Sequence, residues 1–218
     1  MLDLEKAQRT SLTMQVEASL KSALIIGALK PGARLITKEI ADQLGTSITP
    51  VREALLRLVS AGALHATPAQ AFLVPEVNLE RYSEINHIRK NLEGMAVRAA
   101  SQNMTPAILH ELRSLADIFH EAVKSGNTEL SLQTNRVFRF AVYHYAGMPT
   151  LSALIEQLWV RIGPCFNYLY PSSNELTRGH DYGDLLTALK NGDGAASEKA
   201  LWRAIDDGAI ILRKQFFR

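Results

Sequence analysis

Three patterns in the sequence predict a mainly α-helical chain, with an N-terminal winged helix-turn-helix followed by an all-α bundle of about six helices. The first pattern is a pair of short amphipathic segments on either side of Gly45. The second is a pair of strand-like runs, 63–66 and 71–74, that follow directly. The third is a series of helical periods from Asn78 onward without a strand signal. The spacing of apolar residues identifies each type of element, because side chains return to the same face every ~3.6 residues in a helix and every ~2 residues in a strand.

Composition is that of a globular chain. The 218 residues are 47% hydrophobic, which is enough for a sizeable core in one or two domains. No apolar run approaches the roughly 20 residues of a membrane span, and no signal-peptide pattern is present, so we expect a cytoplasmic protein. The net charge is only +2, and the single cysteine, Cys165, has no disulfide or zinc partner and is expected to be buried.

The short segments around Gly45 form the predicted helix-turn-helix. Gly45 suits the left-handed residue that ends the first helix, and Pro50 suits the first turn of the second helix. Each helix has a narrow apolar stripe that is stable only when it packs on the other helix. The stripes are Ile40, Ala41 and Leu44, and then Val51, Ala54, Leu55, Leu58 and Val59.

The flanking elements complete a winged helix over residues 1–76. A helix is predicted over about 10–28, and the runs 63–66 and 71–74 form a β-hairpin. A hairpin at this place is a wing, and His65 and Gln70 are the polar side chains that it offers to a DNA backbone or minor groove.

In a helix-turn-helix the second helix lies in the DNA major groove, with its N-terminal residues at the base edges. With the apolar stripe inward, Ile48, Thr49, Arg52 and Leu56 face outward. An arginine can bond guanine bidentately or clamp a phosphate, and a threonine methyl can touch thymine. The same pattern also fits an αα-hairpin in an unrelated helical protein.

Residues 77–218 form the predicted all-α domain. Asn78 can cap its first helix, in which Leu79, Ile88 and Met95 share the predicted inward face with four other apolar residues. The helices are predicted over about 78–99, 105–126, 128–146, 150–169, 175–190 and from 195 to the C-terminus. The natural architecture is a bundle.

Five runs of the sequence are similar to those of the GntR family of bacterial transcription regulators, in the branch with a FadR-type C-terminal (FCD) domain. They are residues 27–35, 45–58, 88–93, 147–151 and 188–193, among which the string from Thr49 to Leu55 is specific. The resemblance implies a homodimer whose paired winged helices bind double-stranded operator DNA with two-fold related half-sites. It also implies an effector pocket in each bundle.

The resemblance assigns DNA contacts to Lys38, Ser47, Thr49 and Arg52. Ile48 stands where the family commonly has arginine, so an apolar contact and a different operator sequence are implied. The wing also departs from the family, which usually has glycine where this chain has Ala71. The shape of the wing is therefore not fixed by the resemblance.

Many family members hold a divalent metal with one aspartate and three histidines. Alignment on neighbouring motifs puts Asn135, Arg139, Tyr182 and Ala204 at those positions. No ligand of that set is retained, and a cationic arginine would repel a metal ion, so we expect no metal and no other cofactor.

The replacements suggest an anionic ligand instead. Arg139 could bind a carboxylate through two charge-assisted hydrogen bonds, and Arg89 matches a family arginine that could clamp it from a second side. Asn135 and Tyr182 would add neutral hydrogen-bond partners. The predicted function is transcription regulation controlled by a small organic acid, bound without metal.

Three alternatives remain at this point. The polar residues could form an internal network in a collapsed, ligand-free bundle. The winged helix could serve as a protein-interaction module, which Ile48 and the modest net charge favour. An all-α enzyme lacks a nucleophile triad, a phosphate loop and a metal spacing in this sequence, so no catalytic residue is predicted.

Overall fold

The computed structural model describes residues 12–68, 71–169 and 182–215. Its N-terminal part is a winged helix with three helices and a small antiparallel sheet of strand order β1-β3-β2. The helices are α1 (Leu12–Ile25), α2 (Thr37–Leu44) and α3 (Ile48–Ser60). The strands are β1 (Arg34–Leu35), β2 (His65–Ala66) and β3 (Phe72–Leu73).

The turn between α2 and α3 forms as predicted. Gly45 is left-handed (φ 63°, ψ 36°), and its N–H donates to carbonyl oxygens in the last turn of α2. Ser47 is the N-cap residue of α3, but its side chain makes no capping hydrogen bond. The hydroxyl of Ser47 is therefore not used by the helix that it precedes.

Two predictions for this part need correction. The first helix ends at Ile25 rather than near residue 28, because Gly27 takes a positive φ of 69°. The wing is also not a simple hairpin, since β1 pairs with β3 and extends it to three strands. The hairpin turn is closed by Thr67, whose N–H and Oγ1 both donate to the carbonyl oxygen of Ala71 at 2.9 and 3.0 Å. Gln70 lies outside the described residues.

The C-terminal part is helical, as predicted. Its helices are α4 (Leu79–Ala100), α5 (Pro106–Lys124), α6 (Thr128–His144), α7 (Pro149–Ile162), α8 (Gly183–Lys190) and α9 (Gly194–Gln215). Asn78 caps α4 by accepting a hydrogen bond from the N–H of Arg81 at 2.8 Å. None of the helices in the described ranges combines the length and apolar character needed to cross a bilayer.

Two of the predicted helices differ in extent. The helix predicted over 150–169 ends at Ile162 and continues as a 3-10 segment, Gly163–Tyr168. Of the helix predicted over 175–190, only the part from Gly183 falls in the described chain, and residues 170–181 lie outside it. Cys165 is buried within the 3-10 segment, as predicted, and burial raises the pKa of its thiol to about 12.

The predicted inward face of α4 is correct only in part. Tyr82 and Ile85 are buried, but Leu79, Ile88 and Met95 are 42%, 42% and 49% exposed. The apolar spacing misses the rest of the inward face because α4 turns the Arg89–Glu93 ion pair into the core, and small residues such as Gly94 let α9 pack close beside it.

The winged helix and the bundle, which the chain joins near residues 75–78, share one hydrophobic core. Helix α1 packs on α3 on one side and on α7 and the 3-10 segment on the other. Polar contacts cross the same interface: Arg161 Nε donates to the carbonyl oxygen of Ala61 at 2.9 Å, and Asn167 Nδ2 donates to that of Gly27. The two parts are therefore packed together rather than separate globules.

Candidate DNA-binding face and effector cavity

The described residues that were predicted to contact DNA are at the surface of the winged helix. Lys38, Ser47, Ile48, Thr49 and Arg52 are all exposed. Ile48, Arg52 and Leu56 recur every four residues, so they share one face of α3, while Val51, Ala54, Leu55 and Leu58 of the predicted stripe are fully buried and Val59 is partly buried. The face that sequence analysis predicted to point outward does so.

The opposite side of α3 is tied to α1. Thr13 Oγ1 donates to the Glu53 carboxylate at 2.9 Å, and Arg57 pairs with Glu17 at 3.3 Å. Lys38 and Arg52, in contrast, form no ion pair with any residue in the described chain. These two cations are thus available to a ligand outside the protein.

A groove of about 350 Å³ runs beside α3. It lies between α3, the start of α2 and the wing, and we call it the wing groove. Its lining is Ile36, Thr37, Lys38, Ile48, Arg52, Leu56, Ala66, Thr67, Ala71 and Phe72. Most of these side chains are apolar, and the two cations are among the few polar ones.

The second site is centred on Glu93, which is 0% exposed. Its carboxylate accepts hydrogen bonds from Arg89 Nε at 2.6 Å and from Arg139 Nη2 at 2.5 Å. It also accepts from the Tyr143 hydroxyl at 2.5 Å and from Trp159 Nε1 at 2.8 Å. Helices α4, α6 and α7 therefore meet at one carboxylate, which holds them at a fixed distance.

The electrostatics of this cluster keep Glu93 ionised. Burial alone would raise the pKa of Glu93, but the two guanidiniums outweigh it and lower the pKa to about 2. Burial likewise disfavours the charged form of Arg139, yet the neighbouring Tyr143, Tyr182 and Glu93 raise its pKa. The Arg89 guanidinium also lies 4.9 Å from the centre of the Trp159 ring, a cation–π distance.

A small cavity adjoins the cluster, with a volume of about 30 Å³. We call it the effector cavity. Arg89, Asn135, Arg139, Tyr182 and Ala204 all line it, so residues predicted from four separate places in the sequence do meet. The remaining lining is Tyr82, Trp159, Phe166, Leu169, Ile205 and Gly208. The hydroxyl of Tyr182 donates to Asn135 Oδ1, so these two residues already satisfy each other.

The centre of this site was not predicted from the sequence. Glu93 was noted only within a family-like run, and neither Tyr143 nor Trp159 was singled out. One signal was available: Arg89 and Glu93 are four residues apart on a predicted helix, the spacing at which opposite charges meet. Across the described ranges, no group of three or more His, Cys, Asp or Glu side chains is arranged to hold a metal ion.

A winged helix packed on an all-α domain with a buried polar cavity is the architecture of a transcription regulator that joins a DNA-reading part to a sensing part. Comparison with known families agrees. The model of bacterial regulatory proteins of the gntR family matches residues 12–74, and the FCD domain model matches residues 84–207. The chain belongs to the GntR family, in its FCD branch, and is a transcription regulator rather than an enzyme.

Similar proteins support the same assignment. The HTH-type transcriptional regulator McbR of Escherichia coli K12 is 51% identical, over 98% of each chain. A solved structure of E. coli McbR/YncC covers 94% of this chain and 99% of its own, with 50% identity and a TM-score of 0.89. The Nta operon transcriptional regulator of Aminobacter aminovorans is 36% identical over 61% of this chain and 63% of its own length.

Proposed function

We propose that the chain is a cytoplasmic homodimer that binds two-fold related operator half-sites and is controlled by a small organic anion held, without metal, in the effector cavity. The DNA contacts in this proposal are Lys38, Ser47, Ile48, Thr49, Arg52 and, on the wing, Gln70. The effector contacts are Arg89, Asn135, Arg139 and Tyr182. The observation that carries the proposal is that two buried guanidiniums share a single buried carboxylate.

That charge balance favours an anionic ligand. Arg89 and Arg139 are 5% and 3% exposed, and Glu93 neutralises only one of their two charges. A buried charge without a partner is costly, so a second carboxylate beside them would stabilise the cluster. Arg89 reaches Glu93 through Nε, which leaves its Nη groups for a ligand in the cavity that it lines.

The same balance argues against a divalent metal here. Where the family's ligands would stand, this chain has an amide that is already hydrogen-bonded, a phenol and a guanidinium. A metal ion would be repelled by Arg139, whereas a carboxylate would be attracted. The residues of this cavity therefore do not fit the metal that the family resemblance implies.

The effector cavity has to widen for this function. Its volume of about 30 Å³ holds one or two water molecules, whereas small-molecule sites measure about 300–1,000 Å³. The alternative, a protein-interaction module with a collapsed, ligand-free bundle, is favoured by this small volume and by the Tyr182–Asn135 hydrogen bond. The two functions differ in whether the cavity opens for an acid.

The effector half of the proposal is tested with Arg139→Met. This variant leaves Arg89 paired with Glu93, so the cluster stays neutral and the fold is expected to persist. Calorimetry against a panel of small mono- and dicarboxylic acids should find an acid that binds the parent protein. Its affinity should fall about tenfold to a hundredfold in Arg139→Met, as expected for a lost charge-assisted hydrogen bond.

Arg136→Gln is the matched control for that measurement. Arg136 lies on the same helix but reaches Ser22 on α1 rather than the cavity, so acid binding should be unchanged. Equal affinity of an acid for Arg139→Met and for the parent protein would rule out Arg139 as its contact, whereas no binding by any acid would favour the collapsed bundle.

The DNA half is tested by the dependence of binding on salt. The logarithm of the affinity should fall linearly with the logarithm of the salt concentration, because bound cations release counterions from phosphates. Arg52→Ala removes one cation from each half-site of the dimer and should lower that slope by about 2. Arg57→Ala is the control on the same helix and should keep the parent slope, since Arg57 is paired with Glu17. Binding that does not respond to salt would contradict operator recognition.

A further inference from the structure

The wing groove contains apolar side chains of α3 that are exposed, whereas most other apolar side chains of this helix are buried. Ile48 is 50% exposed and Leu56 is 45% exposed, while Val51, Leu55 and Leu58 on the same helix are 0% exposed. The floor of the groove continues from these two residues to Phe72 and Ala71 on the wing. An apolar strip of this kind beside a recognition helix calls for a ligand that is itself partly apolar.

The charges at the groove restrict that ligand. Lys38 and Arg52 line it together with the apolar residues, and none of the described lining residues is acidic. As noted above, neither cation has a carboxylate partner in the part of the chain that the structure describes. The ligand should therefore carry negative charge at its edge and an apolar group farther inside. The DNA major groove has both features where a thymine occurs, because phosphates border the groove and the thymine methyl group lies within it.

We infer that Ile48, with Leu56 beside it, reads the 5-methyl group of thymine and so is a specificity-determining residue for the operator. This inference rests on the proposed DNA-binding function. Thymine is the only base that presents a methyl group in the major groove. The other bases present hydrogen-bonding groups there without a methyl group, so an isoleucine beside them would displace water without giving a hydrogen bond in return.

Ala71 adds to the same surface. It lines the wing groove, and its carbonyl oxygen is held by Thr67. Ala66 and Phe72 of the wing line the groove as well, so apolar residues of α3 and of the wing border the same space. A thymine methyl that enters this space loses contact with water, which strengthens the contact.

The test uses deoxyuridine, which lacks the methyl group but pairs as thymine does. The full-length protein is first used to select a tight-binding duplex from random-sequence DNA. That duplex is then resynthesised with one thymine at a time replaced by deoxyuridine. At one thymine in each half-site the affinity should fall about fourfold, the value for one buried methyl.

A double-mutant cycle assigns the effect to Ile48. Ile48→Ala should weaken binding to the thymine duplex and should make the deoxyuridine substitution harmless at the same position. Ile118→Ala is the matched control, because Ile118 is 53% exposed but lies on α5, and it should keep the fourfold effect.

Three outcomes overturn the inference. If specific, salt-dependent binding is found but no thymine is sensitive to deoxyuridine, the inference fails and the proposed function stands. The same holds if the deoxyuridine effect persists undiminished in Ile48→Ala. If no duplex is selected and binding does not respond to salt, the proposed DNA-binding function fails together with the inference.

Discussion

Glu93 is the residue on which the buried charges of the helical domain depend. Its carboxylate accepts hydrogen bonds from four side chains, at 2.5 to 2.8 Å, and two of these are guanidiniums. Removing one partner of a buried ion pair leaves the other charge without compensation, which typically costs about 3–5 kcal/mol. Glu93 is thus both a structural centre and the group that sets the charge offered to a ligand.

Replacing Glu93 with glutamine should lower the free energy of unfolding and remove part of its dependence on pH. The folded-state pKa of about 2 lies below the ordinary value of 4.5, so the stabilisation is present above pH 4.5 and is lost as the pH falls toward 2. This difference corresponds to about 3 kcal/mol at neutral pH. Denaturant unfolding of the parent protein and Glu93→Gln across this range measures both effects.

Glu84→Gln is the control for that series. Glu84 lies on the same helix and pairs with Arg81 at 2.5 Å, but both side chains are about half exposed. An exposed ion pair contributes little, roughly 0–1 kcal/mol, so this variant should unfold like the parent protein at every pH. An equal loss of stability in both variants would contradict the role assigned to Glu93.

Single residues also show what a sequence can predict about a site. Arg89, Asn135, Arg139 and Tyr182 were predicted together because a family resemblance links positions far apart in the chain, and they line one cavity. Glu93 was not predicted, since apolar spacing favours isoleucine and leucine as inward residues. A buried arginine and a buried glutamate that neutralise each other do not contribute to the apolar spacing, so that spacing cannot reveal them.

At the scale of elements, the helix ends marked by a capping side chain or a nearby glycine were predicted best. Asn78 and Thr105 accept hydrogen bonds from the third backbone N–H beyond them, and Gly45 and Gly147 end helices with positive φ. These are local effects, so they can be read from a few neighbouring residues. Strand β1 has only two residues and pairs with β3, nearly forty positions away, so no local pattern could reveal it.

The extent of α7 illustrates the opposite case, where tertiary packing overrides a local pattern. Its apolar period runs on past Ile162, and a longer helix was predicted. The chain instead tightens into the 3-10 segment at Gly163, where it comes against the end of α1. A residue with a side chain at this point could not approach α1 so closely.

At the scale of the whole molecule, the 3-10 segment connects the two functional surfaces. Phe166, within the segment, and Leu169, just beyond its end, line the effector cavity. Asn167, between them, donates to the carbonyl oxygen of Gly27 just after α1, and α1 in turn packs on the recognition helix α3. A widening of the cavity that moves this segment would therefore change the support beneath α3.

Gly163→Ala should loosen this connection. A methyl group there would overlap the carbonyl oxygen of Leu24 and lie 2.7 Å from Cα of Ile25, backbone atoms that cannot move without shifting α1. Such overpacking costs about 1–3 kcal/mol, and faster hydrogen exchange should follow in α1 and α3 but not in α5. Gly126→Ala, at a φ of +70° with no atom within 4 Å, is the control for backbone strain alone. If both variants speed exchange equally throughout the chain, the 3-10 segment does not join the two parts.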